Sequence, residues 1–200
     1  MKAPAPSVEA RILDAARAHV GKFGPKRVTV VAIAEELGMT HANVYRHFSS
    51  KAALLDAVTA GWLRPLEASL HAVVDGADPA HDKLERVLMA VHGAYRRTLE
   101  TEPRLFELLI DALENGRPVA RQHRGRVQGE VQRIVEDGIA DGAFALTDRR
   151  RAMALIFDVA HRFIHPAAMR LDRDVNRAAL AARFEAALGL IVRALRFGRG

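Results

Sequence analysis

The sequence predicts an all-α protein. A small N-terminal three-helix unit containing a helix-turn-helix is followed by a larger helical bundle, about nine helices in all. Three observations carry this prediction. Apolar side chains recur at spacings of three and four along most of the chain, and no segment shows the period-two alternation of a half-buried strand. The first helices are short and closely spaced, with a glycine corner between two of them. The later helices are long and amphipathic.

The elements follow in order. MKAPAPS (1–7) is a Pro-rich arm. Ser7 can cap a first helix whose apolar side carries Val8, Ile12, Ala15, Ala16, His19, Val20 and Phe23, and Gly24-Pro25 stops it. Thr29 can cap a second helix, Val30–Leu37, and Thr40 a third, His41–His47. Ser50 can cap a long fourth helix from Lys51 to about Val74, which Pro65 is expected to kink. Further helical stretches cover 78–102, 103–116 and 118–142. Thr147-Asp148 opens the next, 148–170, bent or interrupted at Pro166, and Asp172 or Asp174 opens the last, 174–197. The functional division is expected at 50/51: residues 1–50 as the helix-turn-helix domain and 51–200 as a bundle for ligand binding and dimerisation.

Composition narrows the classes. Half of the 200 residues are hydrophobic, enough for a packed core, and the formal net charge is +6, which permits a polyanionic partner without requiring one. There is no cysteine, which excludes disulfides, a thiolate nucleophile and Cys-ligated metal. Nothing at the start resembles a signal peptide, and no run approaches the roughly 18 apolar residues of a membrane helix. A soluble, cytoplasmic protein without membrane association is expected. No Ser-His-Asp, Cys-His, glycine phosphate loop or paired-carboxylate constellation is present, so no enzyme activity and no cofactor are expected.

The stretch GMTHANVYRHFSSKAALL (38–55) carries the chemistry. Gly38 can take the positive φ of a tight corner, and Val44 and Phe48, four apart, point into a small core. His41, Ala42, Asn43 and Arg46 then fall on the outward arc at the N-terminal end of a recognition helix. Asn can pair with an adenine edge, Arg with guanine, and Ala can touch a thymine methyl. Tyr45 and His47 flank that arc and suit phosphate oxygens. Lys51 begins a helix whose free N–H groups and cation favour phosphate, and Thr29 can act similarly. Lys2, Lys22, Lys26 and Arg27 add attraction independent of sequence. The alternative, that these polar groups only solvate a surface helix, stays open on spacing alone.

The stretch TVVAIAEELGMTHANVYRHFSSKAALL (29–55) closely resembles the DNA-binding domain of the tetracycline-repressor (TetR) family of transcriptional regulators. The matching features are Thr29 opening a helix, the pair Ile33-Ala34, the corner Gly38, then Tyr45-x-His47-Phe48, two small residues, Lys51 and the pair Leu54-Leu55. The flanking helices extend the likeness over Val8–Val58. The resemblance implies phosphate contacts at Thr29, Tyr45, His47 and Lys51, and base-reading positions at His41, Ala42, Asn43 and Arg46. It also implies a regulator of operator DNA, most often a repressor released from a palindrome by a small-molecule effector. An effector-independent, constitutive or architectural DNA-binding protein is the alternative.

Beyond about residue 60 no motif carries the likeness. By position, the family's dimer-forming helices would be 148–170 and 174–197. Small residues in both, among them Ala160, Ala178, Ala182 and Gly189, independently permit close helix approach in a homodimer. Candidate residues for an effector pocket are Trp62, Met89, His92, Tyr95, Phe106, Leu109, Leu113, His123, Val127 and Phe157. The competing reading is that they are ordinary core. His92 with His123 or His161 would be the metal reading. Their spacing is not that of a metal site, and no metal is expected.

Overall fold

The computed structural model describes residues 6–145 and 148–198; most of the expected arm, with Lys2, and Thr147 lie outside the described residues. Every regular element among the described residues is a helix. In chain order these are α1 (Val8–Phe23), α2 (Val30–Glu36), α3 (His41–His47), α4 (Lys51–Val74) and α5 (Ala80–Thr101). There follow α6 (Pro103–Glu114), α7 (Pro118–Ala140), α8 (Arg149–Ile164), α9 (Pro166–Leu171) and α10 (Arg177–Phe197).

Most starts are set by side chains that take up an orphan backbone N–H. Ser7 accepts from Ala10, Thr29 from Ala32, Thr40 from Asn43, Ser50 from Ala53, and Asp148 from Arg151. Gly38 adopts φ +63° at the corner between α2 and α3, a conformation that a Cβ would strain.

Packing divides the chain within α4. Residues up to Leu63 form one compact unit together with Thr101–Arg121, and the remainder forms another. This boundary, between Leu63 and Arg64, falls one residue ahead of Pro65, through which α4 continues as one helix.

In the N-terminal unit, Ile12, Ala16, Val20, Ile33, Ala34, Val44, Leu54, Leu55 and Val58 form the core, and Leu105 and Leu108 of α6 enter it. Each Val, Leu or Ile buried there stabilises by about 1.5–3 kcal/mol. Arg17 of α1 holds both carboxylate oxygens of Glu102 at 2.9 Å, and Arg104 donates to the carbonyls of Gly21 and Lys22 at the end of α1. Arg117 sits between Asp56 of α4 at 2.8 Å and Asp111 of α6 at 2.9 Å. Burial, then the nearby Asp111 charge, push the Asp56 carboxyl up, and Arg117 offsets only part of this. Phe23, expected inside, is 43 % exposed, with the Lys22 ammonium over its ring. It is the last residue of α1, past the last core contact at Val20.

In the C-terminal unit, Leu84, Leu88, Val91, Val131, Ile134, Ile156, Phe184 and Leu188 are buried, and α10 packs along α8. Gly138 has a packing reason: a Cβ there would lie 2.4 Å from the Phe144 ring, so only glycine admits that ring against α7.

The last two elements differ from expectation. The helix expected over 148–170 is two, broken at His165 because Pro166 cannot supply the N–H that would continue α8. The last helix begins at Arg177 rather than at Asp172 or Asp174. Residues 172–175 are instead held as a loop by Arg96, which donates to the carbonyls of Asp172, Arg173 and Val175. Asn176 then caps α10. Counting α9 makes ten helices among the described residues, against about nine expected.

Candidate nucleic-acid interface

Val44 is fully buried and Phe48 nearly so, which fixes the rotation of α3. His41, Ala42, Tyr45, Arg46 and His47 are exposed, and α3 carries no acidic residue. The aromatic rings of His41 and Tyr45 meet edge to face, with centroids 6.4 Å apart, and Tyr45 is 46 % exposed. Asn43 is half-buried, with its side-chain amide 3.9 Å from the sulfur of Met39, so it sits at the edge of the outward arc rather than within it.

Thr29 is exposed at the mouth of α2. Its oxygen accepts from Ala32 at 3.2 Å, which leaves the hydroxyl hydrogen free for an external acceptor. Lys51 is half-buried, and its ammonium donates to the Lys26 carbonyl at 3.3 Å, stitching the start of α4 to the α1–α2 loop. Lys22, Lys26 and Arg27 are exposed. Glu36 is engaged by His19 at 2.6 Å. The arrangement offers anions a helix with exposed donors, the Arg46 cation and no opposing carboxylate on its own surface.

The ten candidate pocket residues do not fall in one unit. Trp62, Phe106, Leu109 and Leu113 belong to the N-terminal unit, where Trp62 packs against its core. Met89, His92, Tyr95, His123, Val127 and Phe157 belong to the C-terminal unit, and the structure joins two of them directly. The Tyr95 hydroxyl lies 2.6 Å from His123 Nε2, and His123 Nδ1 lies 2.7 Å from Glu67. A neutral imidazole satisfies both contacts: Tyr95 donates to Nε2, and Nδ1–H donates to Glu67. Burial, reinforced by the Glu67 charge, pushes the Tyr95 hydroxyl far up, which keeps it a donor. Burial alone would raise Glu67. The hydrogen bond from His123, with Arg126 at 2.7 Å, outweighs it and holds the carboxyl below its usual range.

Glu67 also lines an open groove of about 740 Å³ between α4 and α7, with Arg64, His71, Arg126, Glu130 and Arg133. His92 takes a different place, against Phe163 and Phe184, with ring centroids 6.3 and 5.3 Å away.

Sequence reasoning passed over Glu67, Arg96 and Arg162, and read Asp172 only as a helix start. Arg96 was detectable: it lies four residues after His92 on the same apolar stripe, where a cation demands a buried partner. It also passed over the pair His161-x3-His165. Those rings stack at 4.5 Å, and no group of three or more metal-ligating residues occurs among the described residues. No helix among the described residues is long and apolar enough to cross a membrane.

Two family models match this chain. "Bacterial regulatory proteins, tetR family" matches residues 12–58, and "Tetracyclin repressor-like, C-terminal domain" matches residues 80–187, more than half of the sequence. The HTH-type transcriptional regulator YhgD of Bacillus subtilis is 24% identical over 157 residues, 74% of this chain and 81% of that protein. The HTH-type transcriptional regulator BetI of Brucella canis is 25% identical over 147 residues, 68% of this chain and 74% of that protein. Among solved structures, the regulator FadR from Bacillus subtilis in complex with stearoyl-CoA superimposes with a TM-score of 0.65 at 19% identity. It covers 91% of this chain and 96% of that one. A TetR-family regulator from Mesorhizobium loti gives 0.65 at 16% identity, with 93% and 95% covered, so both share the fold. An N-terminal helix-turn-helix with an outward polar α3, a following helical bundle and two family models that agree with them lead to one conclusion: the chain belongs to the TetR family of transcriptional regulators.

Proposed function

We propose that the chain is a homodimeric repressor that lays α3 in the major groove of each half of a palindromic operator and leaves it when a small-molecule effector binds. The observation that carries this is the outward arc of α3, where five exposed residues meet no side-chain carboxylate of their own helix. Arg46, His41 and Ala42 are the base-reading residues, with Asn43 reaching in from the edge. Tyr45, His47, Thr29 and Lys51 hold phosphate, Lys51 after exchanging the Lys26 carbonyl for it.

Dimerisation is supported by apolar side chains left outward on the last long helices: Val159 on α8, and Leu190 and Phe197 on α10. The effector reading is supported by the family and by a solved relative that holds stearoyl-CoA. An effector acts only through its different affinity for two conformations. α4, whose residues belong to both packing units, is the helix through which such a difference reaches α3.

The test is selection of operator from random DNA, followed by anisotropy titration. Tyr45→Ala and His47→Ala should each weaken binding of the selected palindrome. Unchanged binding by both would overturn the assignment, and a monomer in sedimentation at micromolar concentration would overturn the dimer.

A further inference from the structure

We propose that the small cavity beside His92 is a binding site for a neutral hydroxyl donor, either a water molecule or the hydroxyl of the effector. The second source rests on the effector reading above. His92 is 3 % exposed. Its Nδ1 lies 2.8 Å from the carbonyl oxygen of Phe163, which can only accept, so Nδ1 carries the hydrogen. In the neutral ring this tautomer leaves a bare lone pair at Nε2. Nε2 is fully buried, and no protein group among the described residues meets it. A buried acceptor without a donor is costly, so the position favours any group that brings one.

The space at His92 fits that demand. It is a cavity of about 10 Å³, the room of roughly one water molecule. Phe163, Met169 and Leu180 form its apolar wall, and Arg96, Arg162 and Asp172 form its polar wall. The polar wall has no charge to spare. Arg96 is committed to Glu100 and to three loop carbonyls. Arg162 holds Asp172 through two contacts at 3.0 and 2.7 Å. A charged ligand would find no free counter-ion, whereas a neutral O–H satisfies Nε2 and leaves those pairs intact. Met169 is the wall that can yield. It is an unbranched, adaptable side chain on the six-residue α9, and a rotamer change there would enlarge the cavity beside Phe163 and Leu180. An effector with an apolar body and a terminal hydroxyl is the matching shape.

The test uses the full chain. In the wild-type protein, nitrogen-detected histidine spectra should give His92, assigned by the signal that His92→Phe removes, as the Nδ1–H tautomer with Nε2 accepting a hydrogen bond. An Nε2–H tautomer overturns the proposal, and this readout needs no enlarged variant. Met169→Ala should then bind phenol at least tenfold more tightly than toluene in calorimetry, a preference that adding His92→Phe abolishes. Equal binding of the two probes overturns the proposal. The sources are separated on operator DNA. Release of the wild-type chain by phenol or 1-hexanol, lost in His92→Phe, assigns the hydroxyl to an effector. Phenol binding to Met169→Ala without release of either protein assigns it to water and overturns the effector source alone. Failure to bind any operator would count against the regulator reading and leave the histidine site standing.

Discussion

Polar side chains have opposite fates in the two halves of this chain. On α3, His41, Tyr45, Arg46 and His47 stand in solvent, with the Arg46 cation and the other donors unanswered by any carboxylate of that helix. In the C-terminal unit, Tyr95, Arg96, His123 and Asp172 are buried and tied to partners. The first group contributes little to stability and is free for a partner. The second ties helices and loops that packing alone would leave less defined. Polarity alone therefore does not mark a site; polarity without an internal partner does, and by that measure His92 differs from its neighbours.

This contrast can be broken by mutation, and the largest effect should come from inside. Arg96→Ala strands three loop carbonyls and leaves Glu100 with Arg177, at 3.6 Å. It should cost about 3–5 kcal/mol in chemical denaturation, with operator affinity per folded chain unchanged. Tyr95→Phe should cost about 1–3 kcal/mol, since it leaves the buried His123 Nε2 without its donor; Glu67→Gln, whose amide oxygen can still accept from His123 Nδ1, should cost less.

The Glu67 effect has a pH signature. Its folded pKa lies below the usual 4.5, so its contribution is present above that value and is lost as pH falls through the folded value. Denaturation midpoints followed downward from neutral pH should fall less steeply in Glu67→Gln than in the wild type; parallel curves would refute the assignment.

The outward face should behave in reverse. Arg46→Ala is expected to cost about 1–3 kcal/mol of operator binding while the denaturation midpoint barely moves. Smallest of all, Arg17→Ala removes a half-exposed pair and should change stability by no more than about 1 kcal/mol, measured by the same denaturation.

The sequence was most informative where structure is local. Ser7, Thr29, Thr40 and Ser50 cap helices because a hydroxyl and an N–H three residues on need nothing else, and Gly38 marks a corner for a reason of its own backbone. Periodicity also assigned Val44 and Phe48 inward. It failed where a partner lies far along the chain. Nothing local to 172–175 reveals that Arg96 will hold those carbonyls and delay α10 to Arg177. Nothing local to Glu67 reveals His123. Phe23 reads as core because its spacing is right, but core neighbours were needed to make it so.

Leu105 and Leu108 fill the core of the N-terminal unit although they lie more than forty residues beyond the helix-turn-helix. The chain leaves the ribosome from its N-terminus, so this core stays incomplete until α6 has been made. The nascent reading head exposes an apolar notch during that interval, and its folding must wait on a contact of long sequence separation. Pieces cut at Leu63 would carry every residue expected to touch DNA. They would still lack two of the side chains that hold those residues in place.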